Sequence, residues 1–200
     1  MAEKIYDEIK NRIAAYEAGK VFFTTDFKDI ASLATIRKCL GRQTEEGNIR
    51  RVMDGTYEKP RYSNVLQEYL PTDPEKVAVA IAQKYHWTIS PCGDVSLNKL
   101  GLSTQVPVVW SYVSDGPYRD FSWDNITLSF KHKTNREISF MSSISIMVVE
   151  ALKTLGKNNV DENTVDILKN RLNGAEKSTL LNETVDSAAW IYDIIRKVCA

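Results

Sequence analysis

The stretch FTTDFKDIASLATIRKCLGRQTEEGNIRRVMDGTYEKP, residues 23–60, decides the reading of this chain. It sets out a short helix, a turn, a longer helix and a two-stranded hairpin, which is the order of parts of a winged helix-turn-helix. The short helix opens at Thr25 or Asp26, with Phe27 and Ile30 three apart on one face and Asp29 beside the positive helix start. Ala31 and Ser32 make the turn. The Ser32 hydroxyl suits an N-cap, because it can accept from an orphan N–H of the next first turn. The second helix is expected over 33–46, stopped by Gly47 in the left-handed conformation common at helix ends.

At 100° per residue, Leu33, Ile36 and Leu40 share one face of that helix, while Thr35, Lys38 and Arg42 fall roughly opposite, with Ala34 and Gly41 close by. Such a small, basic, hydroxyl-bearing face suits a DNA major groove: small residues let the backbone approach, and the cations neutralise phosphates or donate to guanine edges. Arg37 lies on the flank, placed for backbone phosphate. Beyond Gly47, Asp54-Gly55 separates two short β-prone runs, 49–53 and 56–60, and both turn residues tolerate positive φ. This hairpin is the expected wing, with Arg50, Arg51, Lys59 and Arg61 on or beside it. Between residues 33 and 61 seven basic residues face four acidic ones, a modest surplus far short of a polybasic tract.

Across all 200 residues, Lys plus Arg equals Asp plus Glu at 26 each, so attraction to nucleic acid must come from where charge sits rather than from net charge. Forty-three per cent apolar and 26% charged residues describe an ordinary globular chain. Cys39, Cys92 and Cys199 are odd in number and widely spaced, which suits reduced thiols and builds no zinc site. The start, MAEKIYDEIKNRI, is charged throughout, and no segment approaches the roughly 20 apolar residues of a membrane helix. A cytoplasmic protein is expected, with no membrane partner.

Upstream of the deciding stretch, Ile5, Ile9 and Ile13 with Tyr6 and Tyr16 give an amphipathic helix ending near Gly19, and Val21-Phe22-Phe23 a short strand. The domains read as 1–62, a winged helix-turn-helix; 63–73, a linker with one helical turn around 65–69; and 74–200, an α+β domain. The last should hold helices at 74–85 and 95–100, strands at 87–90, 106–113 and 126–132, and closing helices at 143–155, 161–172 and 184–198. The fold class is therefore α+β, with a winged helix-turn-helix followed by a mixed α/β domain that ends in helices.

The wing segment, the line LGLSTQVP at 100–107 and VSDGP at 113–117 together resemble AbiEi-like antitoxins, the DNA-binding members of type IV toxin–antitoxin and abortive-infection systems. The similarity runs over residues 5–170, in a chain shorter than the larger members of that family. The resemblance implies an N-terminal domain that binds repeats at its own promoter and represses the operon. It also implies a C-terminal domain that counteracts a co-encoded nucleotidyltransferase-like toxin. Carried over, Thr35, Arg37, Lys38 and Arg42 contact DNA, with Arg50 and Arg51 at the wing.

Enzymatic chemistry has little support in the residues. His86 and His132 stand outside any metal-ligand spacing, Ser103, Ser111 and Ser114 lack a nucleophile-elbow pattern, and no glycine-rich phosphate loop occurs. Asp115 and Arg119 read as a turn with a surface pair. No catalytic residue, cofactor or metal is assigned. The expected DNA-contacting set is Ala34, Thr35, Arg37, Lys38, Arg42, Arg50, Arg51 and Lys59, and the expected function is a DNA-binding regulator acting as an antitoxin. The alternative is a nucleotide- or nucleic-acid-acting enzyme that the winged helix targets to DNA. The second domain is left to neutralise a toxin, to make a homodimer or to sense a ligand.

Overall fold

Apolar residues recurring every four positions give the first helix, α1 (Ala2–Ala14), whose Tyr6, Ile9 and Ile13 are buried. A computed structural model describes residues 2–134 and 138–200. The fold is α+β, and it divides into two compact units that meet between Ile81 and Ala82. That division falls inside a helix, whereas the sequence reading placed a linker at 63–73.

In the first unit, β1 (Val21–Phe23) is followed by one turn of 3-10 helix, Thr24–Phe27, where a short helix opening at Thr25 or Asp26 is expected. Asp26 closes that turn by accepting from the Phe23 N–H at 2.9 Å, and Phe27 enters the core. The second helix, α2, runs Leu33–Glu45 with Ser32 as its N-cap, accepting from the Thr35 N–H at 3.4 Å. Gly47, at φ 74°, ends it as expected. Next come β2 (Arg50–Met53) and β3 (Thr56–Glu58), joined by Asp54-Gly55 with Gly55 at φ 66°. The sheet order is β1-β3-β2, all antiparallel, so β3 is central and its three residues are buried. Phe22, Phe27 and Tyr57 pack with α1 and α2 in one core that includes Ile36, Leu40 and Ile49.

The segment after β3 departs from expectation. Residues 65–69 form no helical turn; β4 (Tyr62–Ser63) pairs instead with β5 (Glu68–Tyr69) as a two-stranded ribbon. Asp73 then caps α3 (Pro74–Tyr85) through its carboxylate and the Glu75 N–H, 3.0 Å apart.

The second unit has a four-stranded sheet of order β6-β7-β9-β8: β6 (Ile89–Pro91), β7 (Val109–Ser114), β8 (Arg119–Trp123) and β9 (Ile126–His132). β7 and β9 are parallel, and the other neighbours are antiparallel. The strand expected from residue 106 begins only at Val109, because Pro107 has no N–H for the ladder and Val106 and Val108 are exposed. The strand expected at 87–90 shifts to Ile89–Pro91, since the Trp87 N–H is taken by Ala82 O at 2.8 Å and that of Thr88 by Asp115 at 2.9 Å. Strand β8 was not foreseen.

Helix α4 (Asp94–Lys99) and the long apolar α5 (Ser143–Leu155) pack together, α4 against β7 and α5 against β6. They are followed by α6 (Glu162–Arg171), α7 (Gly174–Glu183) and α8 (Ala189–Cys199), which gather around Leu152, Leu168, Leu180 and Ile195. The expected closing helix at 184–198 starts only at Ala189, and α7 was missed. Gly174, which follows the expected 161–172 helix and would suit its stop, is the first residue of α7. Asn173 and Glu176 form its reciprocal capping box, each side chain meeting the other's N–H at 2.9 Å. Among the described residues no helix is long and apolar enough to cross a membrane.

Candidate nucleic-acid interface

Burial divides α2 into two faces. Ile36, Cys39, Leu40 and Gln43 point inward, and the face opposite them carries Ala34, Arg37, Lys38, Gly41 and Glu45 at the surface. The inner face is therefore turned relative to the one read from sequence: Leu33 is exposed, and Cys39 and Gln43 take its place. Gln43 is a buried amide satisfied by tertiary partners, donating to Tyr6 Oη and accepting from Asn48 Nδ2 at 3.1 Å.

The eight residues expected to touch DNA fall into different settings. Ala34 is exposed and leaves room for close approach. Thr35 is half-buried, its hydroxyl 3.0 Å from that of Ser32, so it belongs to the helix cap. Arg37 and Lys38 are exposed, and among the described residues neither makes a hydrogen bond or ion pair. Arg42 is exposed but engaged: its guanidinium lies 4.0 Å from the Tyr6 ring centroid, and Nε donates to Glu46 at 2.9 Å. The hydrogen bond from Tyr6, at 2.7 Å, holds the Glu46 carboxyl below the usual carboxylate range, helped by Arg42. Burial, with Glu46 alongside, pushes the Tyr6 phenol up.

On the hairpin, neighbouring arginines differ sharply. Arg50 points to the protein, donating to Leu70 O at 3.0 Å and Thr72 Oγ1 at 3.3 Å and pairing with buried Glu58 at 3.4 Å. Arg51, one residue on, faces solvent and, among the described residues, pairs only with exposed Asp54 at 2.6 Å. Lys59 donates to Ala14 O and Tyr16 O, both at 2.7 Å, closing the carbonyl end of α1. Arg50 and Lys59 thus tie the unit together.

Helix and hairpin meet around an open cleft of about 370 Å³, lined on the α2 side by Arg37, Gly41 and Thr44 and on the hairpin side by Arg51 and Asp54. Gly41 sits one helical turn after Arg37, and a Cβ there would meet nothing within 4 Å, so the helix is slim where the cleft opens. Thr44 and Tyr57 were not singled out in the sequence; Thr44 is half-buried there, with its hydroxyl on Leu40 O at 2.9 Å. Guanidiniums at a groove of this kind can meet phosphate oxygens, and the Glu45 and Asp54 carboxylates on the same lining oppose any anion there, phosphate included.

The larger cavity, about 700 Å³, lies in the second unit among Val113, Ile146, Val149, Glu150, Lys153 and Ile191, and none of the eight residues lines it. Glu150 there is held by Lys153 at 2.8 Å and Lys133 at 3.9 Å. Cys92, in the same unit, is buried among Val113, Ile138 and Ile146, and burial pushes its thiol up to about 11, so it is protonated at neutral pH. His132 Nδ1 lies 2.8 Å from Gly116 O. Among the described residues no three His, Cys, Asp or Glu side chains gather as a metal site. In comparison with known proteins, a family model described as a family of unknown function (DUF6088) matches residues 8–180, and no curated protein matches the chain.

Proposed function

We propose, for a chain that belongs to the DUF6088 family of unknown function, that its first unit is a winged helix-turn-helix and that the protein regulates transcription by binding duplex DNA. In this reading α2 is the recognition helix and β2–β3 the wing. The observation that carries it is the pair of unengaged cations, Arg37 and Lys38, on the uncovered small-residue face of α2, beside a hairpin whose Arg51 faces the same cleft. A solvated basic face needs no such neighbour, whereas a groove-reading helix needs a second element to hold the backbone.

The contact set is narrower than the sequence suggested. Ala34, Arg37, Lys38 and Gly41 approach the groove, Arg51 takes phosphate, and Arg42 reaches DNA only by leaving Glu46 and Tyr6. Arg50 and Lys59 act within the fold. The resemblance to AbiEi-like antitoxins extends the proposal to an operon-repressing, cytoplasmic antitoxin whose second unit counteracts a nucleotidyltransferase-like toxin.

The test is fluorescence anisotropy with the promoter duplex of the protein's own operon. Arg37→Ala with Lys38→Ala should weaken binding by about 1–3 kcal/mol for each lost base contact, and melting should not change, since both side chains are exposed and unpaired. Equal affinity of parent and double variant would remove α2 from the interface. For the antitoxin role, growth rescue from the neighbouring toxin by that same variant would separate neutralisation from DNA binding.

A further inference from the structure

The ribbon of β4 and β5 exposes more apolar surface than its size explains. Val65 is 92% exposed, Leu66 60%, Tyr69 58% and Tyr62 49%, so four of eight consecutive residues offer large apolar side chains to solvent. The turn that presents them is built. Leu66 N–H donates to Ser63 Oγ at 3.2 Å, Gln67 Nε2 to Asn64 O at 2.6 Å and Tyr62 Oη to Gln67 Oε1 at 3.3 Å. The Tyr62 and Tyr69 rings meet edge to face at 5.2 Å. A two-stranded ribbon alone in water is marginal, and an exposed apolar patch held in a fixed shape marks a contact surface.

We propose that this ribbon, residues 62–69, is where a second copy of the chain docks. Charge selects the occupant. Glu68 is the one charged residue in the segment, whereas phosphate backbones and anionic membranes are drawn by clustered Lys and Arg, and a charged protein surface would ask for opposite charge. With its single charge on strand β5 and none at the Val65–Leu66 turn, a tyrosine-edged, apolar surface matches itself there. Across a two-fold axis the same patch faces itself, Val65 and Leu66 packing on their symmetry mates. The backbone suits this as well, because among the described residues each ribbon strand has one ladder neighbour, which leaves an unpaired edge on which an identical strand can pair.

So short a ribbon covers less than the roughly 800 Å² per partner of a standard interface, so the dimer is weak and in exchange with monomer. Two half-sites on one duplex would raise the effective concentration and complete it; only this last step rests on the DNA-binding reading.

The experiment is sedimentation equilibrium of the full chain without DNA, from low to high micromolar concentration. The parent should show a monomer–dimer equilibrium. Val65→Asp with Leu66→Asp, at positions exposed enough to leave melting unchanged, should raise the dissociation constant at least about tenfold, because two like charges would face their mates. A parent that stays monomeric throughout, or a variant that dimerises as well as the parent, overturns the proposal. A duplex with two half-sites against one with a single half-site separates the two readings. In the expected result the variant keeps single-site affinity and loses cooperativity. A parent that dimerises and binds no duplex, with a variant that does not dimerise, refutes the DNA reading and upholds the ribbon contact.

Discussion

Two hairpins lie close together in sequence in the first unit, and they are held in opposite ways. The β2–β3 hairpin turns through Asp54-Gly55, gains β1 as a third strand, and buries all three residues of β3. The β4–β5 ribbon turns through four residues, has two residues per strand and leaves its large side chains outside. A hairpin is secured by what its strands cover, and the turn only sets the register. The first is a structural member on which a binding face can be mounted, and the second is a surface in search of cover.

The largest test of that contrast is Glu58→Ala. Glu58 is 1% exposed and accepts from Thr72 Oγ1 at 2.6 Å and from Arg50 at 3.4 Å. Its loss leaves the Thr72 hydroxyl without its acceptor and takes the counter-charge from Arg50, which keeps Leu70 O and Thr72 Oγ1 and is partly solvated, so urea unfolding should register a drop of about 1–3 kcal/mol. Glu68→Ala, the matching carboxylate on the ribbon, should stay within about 0.5 kcal/mol. Equal effects would mean that the two hairpins are supported alike.

Next in size is Gly55→Ala. Gly55 sits at φ 66°, and a Cβ there would lie at an ordinary 3.6 Å from Thr24 Oγ1, so the cost is that of left-handed backbone for an L-residue, about 1–2 kcal/mol. Denaturant midpoints at constant m-value would measure it. A loss far beyond that range would point to packing at the turn in addition to backbone.

The same contrast explains what the sequence made legible. Asp54-Gly55 between β-prone runs announces a two-residue turn, and the strands found are close to those read. YSNVLQEY at 62–69 carries no glycine or proline, and Val65, Leu66 and Tyr69 sit at helical spacing, so it read as a helical turn. Helix α5 was legible over its whole span, 143–155 ahead of Gly156, and the structure adds Ser142 as its cap. Helix α7 is hidden because Gly174 reads as the terminator of the helix before it, although Asn173 and Glu176 carry the start signal. The site divides likewise. Arg37 and Lys38 follow from helix geometry, while Arg50 and Lys59 are spent on carbonyls of Leu70, Ala14 and Tyr16, partners that only the tertiary fold brings near.

A smaller effect is expected from Tyr69→Ala. The ring pair with Tyr62 contributes about 0.5–1.5 kcal/mol, and because the ribbon supports little else the loss should stay local. Hydrogen exchange should show faster exchange at the Leu70 N–H, which donates to Arg61 O at 2.8 Å, with the β2–β3 amides as protected as before. Faster exchange in both hairpins would show that they open as one unit.

The smallest effect on stability, and the one most telling for function, is expected from Arg51→Ala. Arg50 and Arg51 are neighbours on β2, so strand alternation turns one side chain to the protein and the other to solvent. An exposed pair such as Arg51–Asp54 contributes about 0–1 kcal/mol, and melting should barely move, whereas Arg50→Ala leaves Glu58 buried beside Thr72 alone and should destabilise clearly. Under the proposed DNA-binding function the order reverses. Arg51→Ala should weaken cognate and unrelated duplexes about equally and lower the salt slope by about one, because a phosphate contact acts by releasing counterions and carries no base information. Affinity titrations of both duplexes at several salt concentrations decide it. A loss confined to the cognate duplex would make Arg51 a base reader, and no loss on either would take the β2–β3 hairpin out of the interface and leave α2 to bind alone.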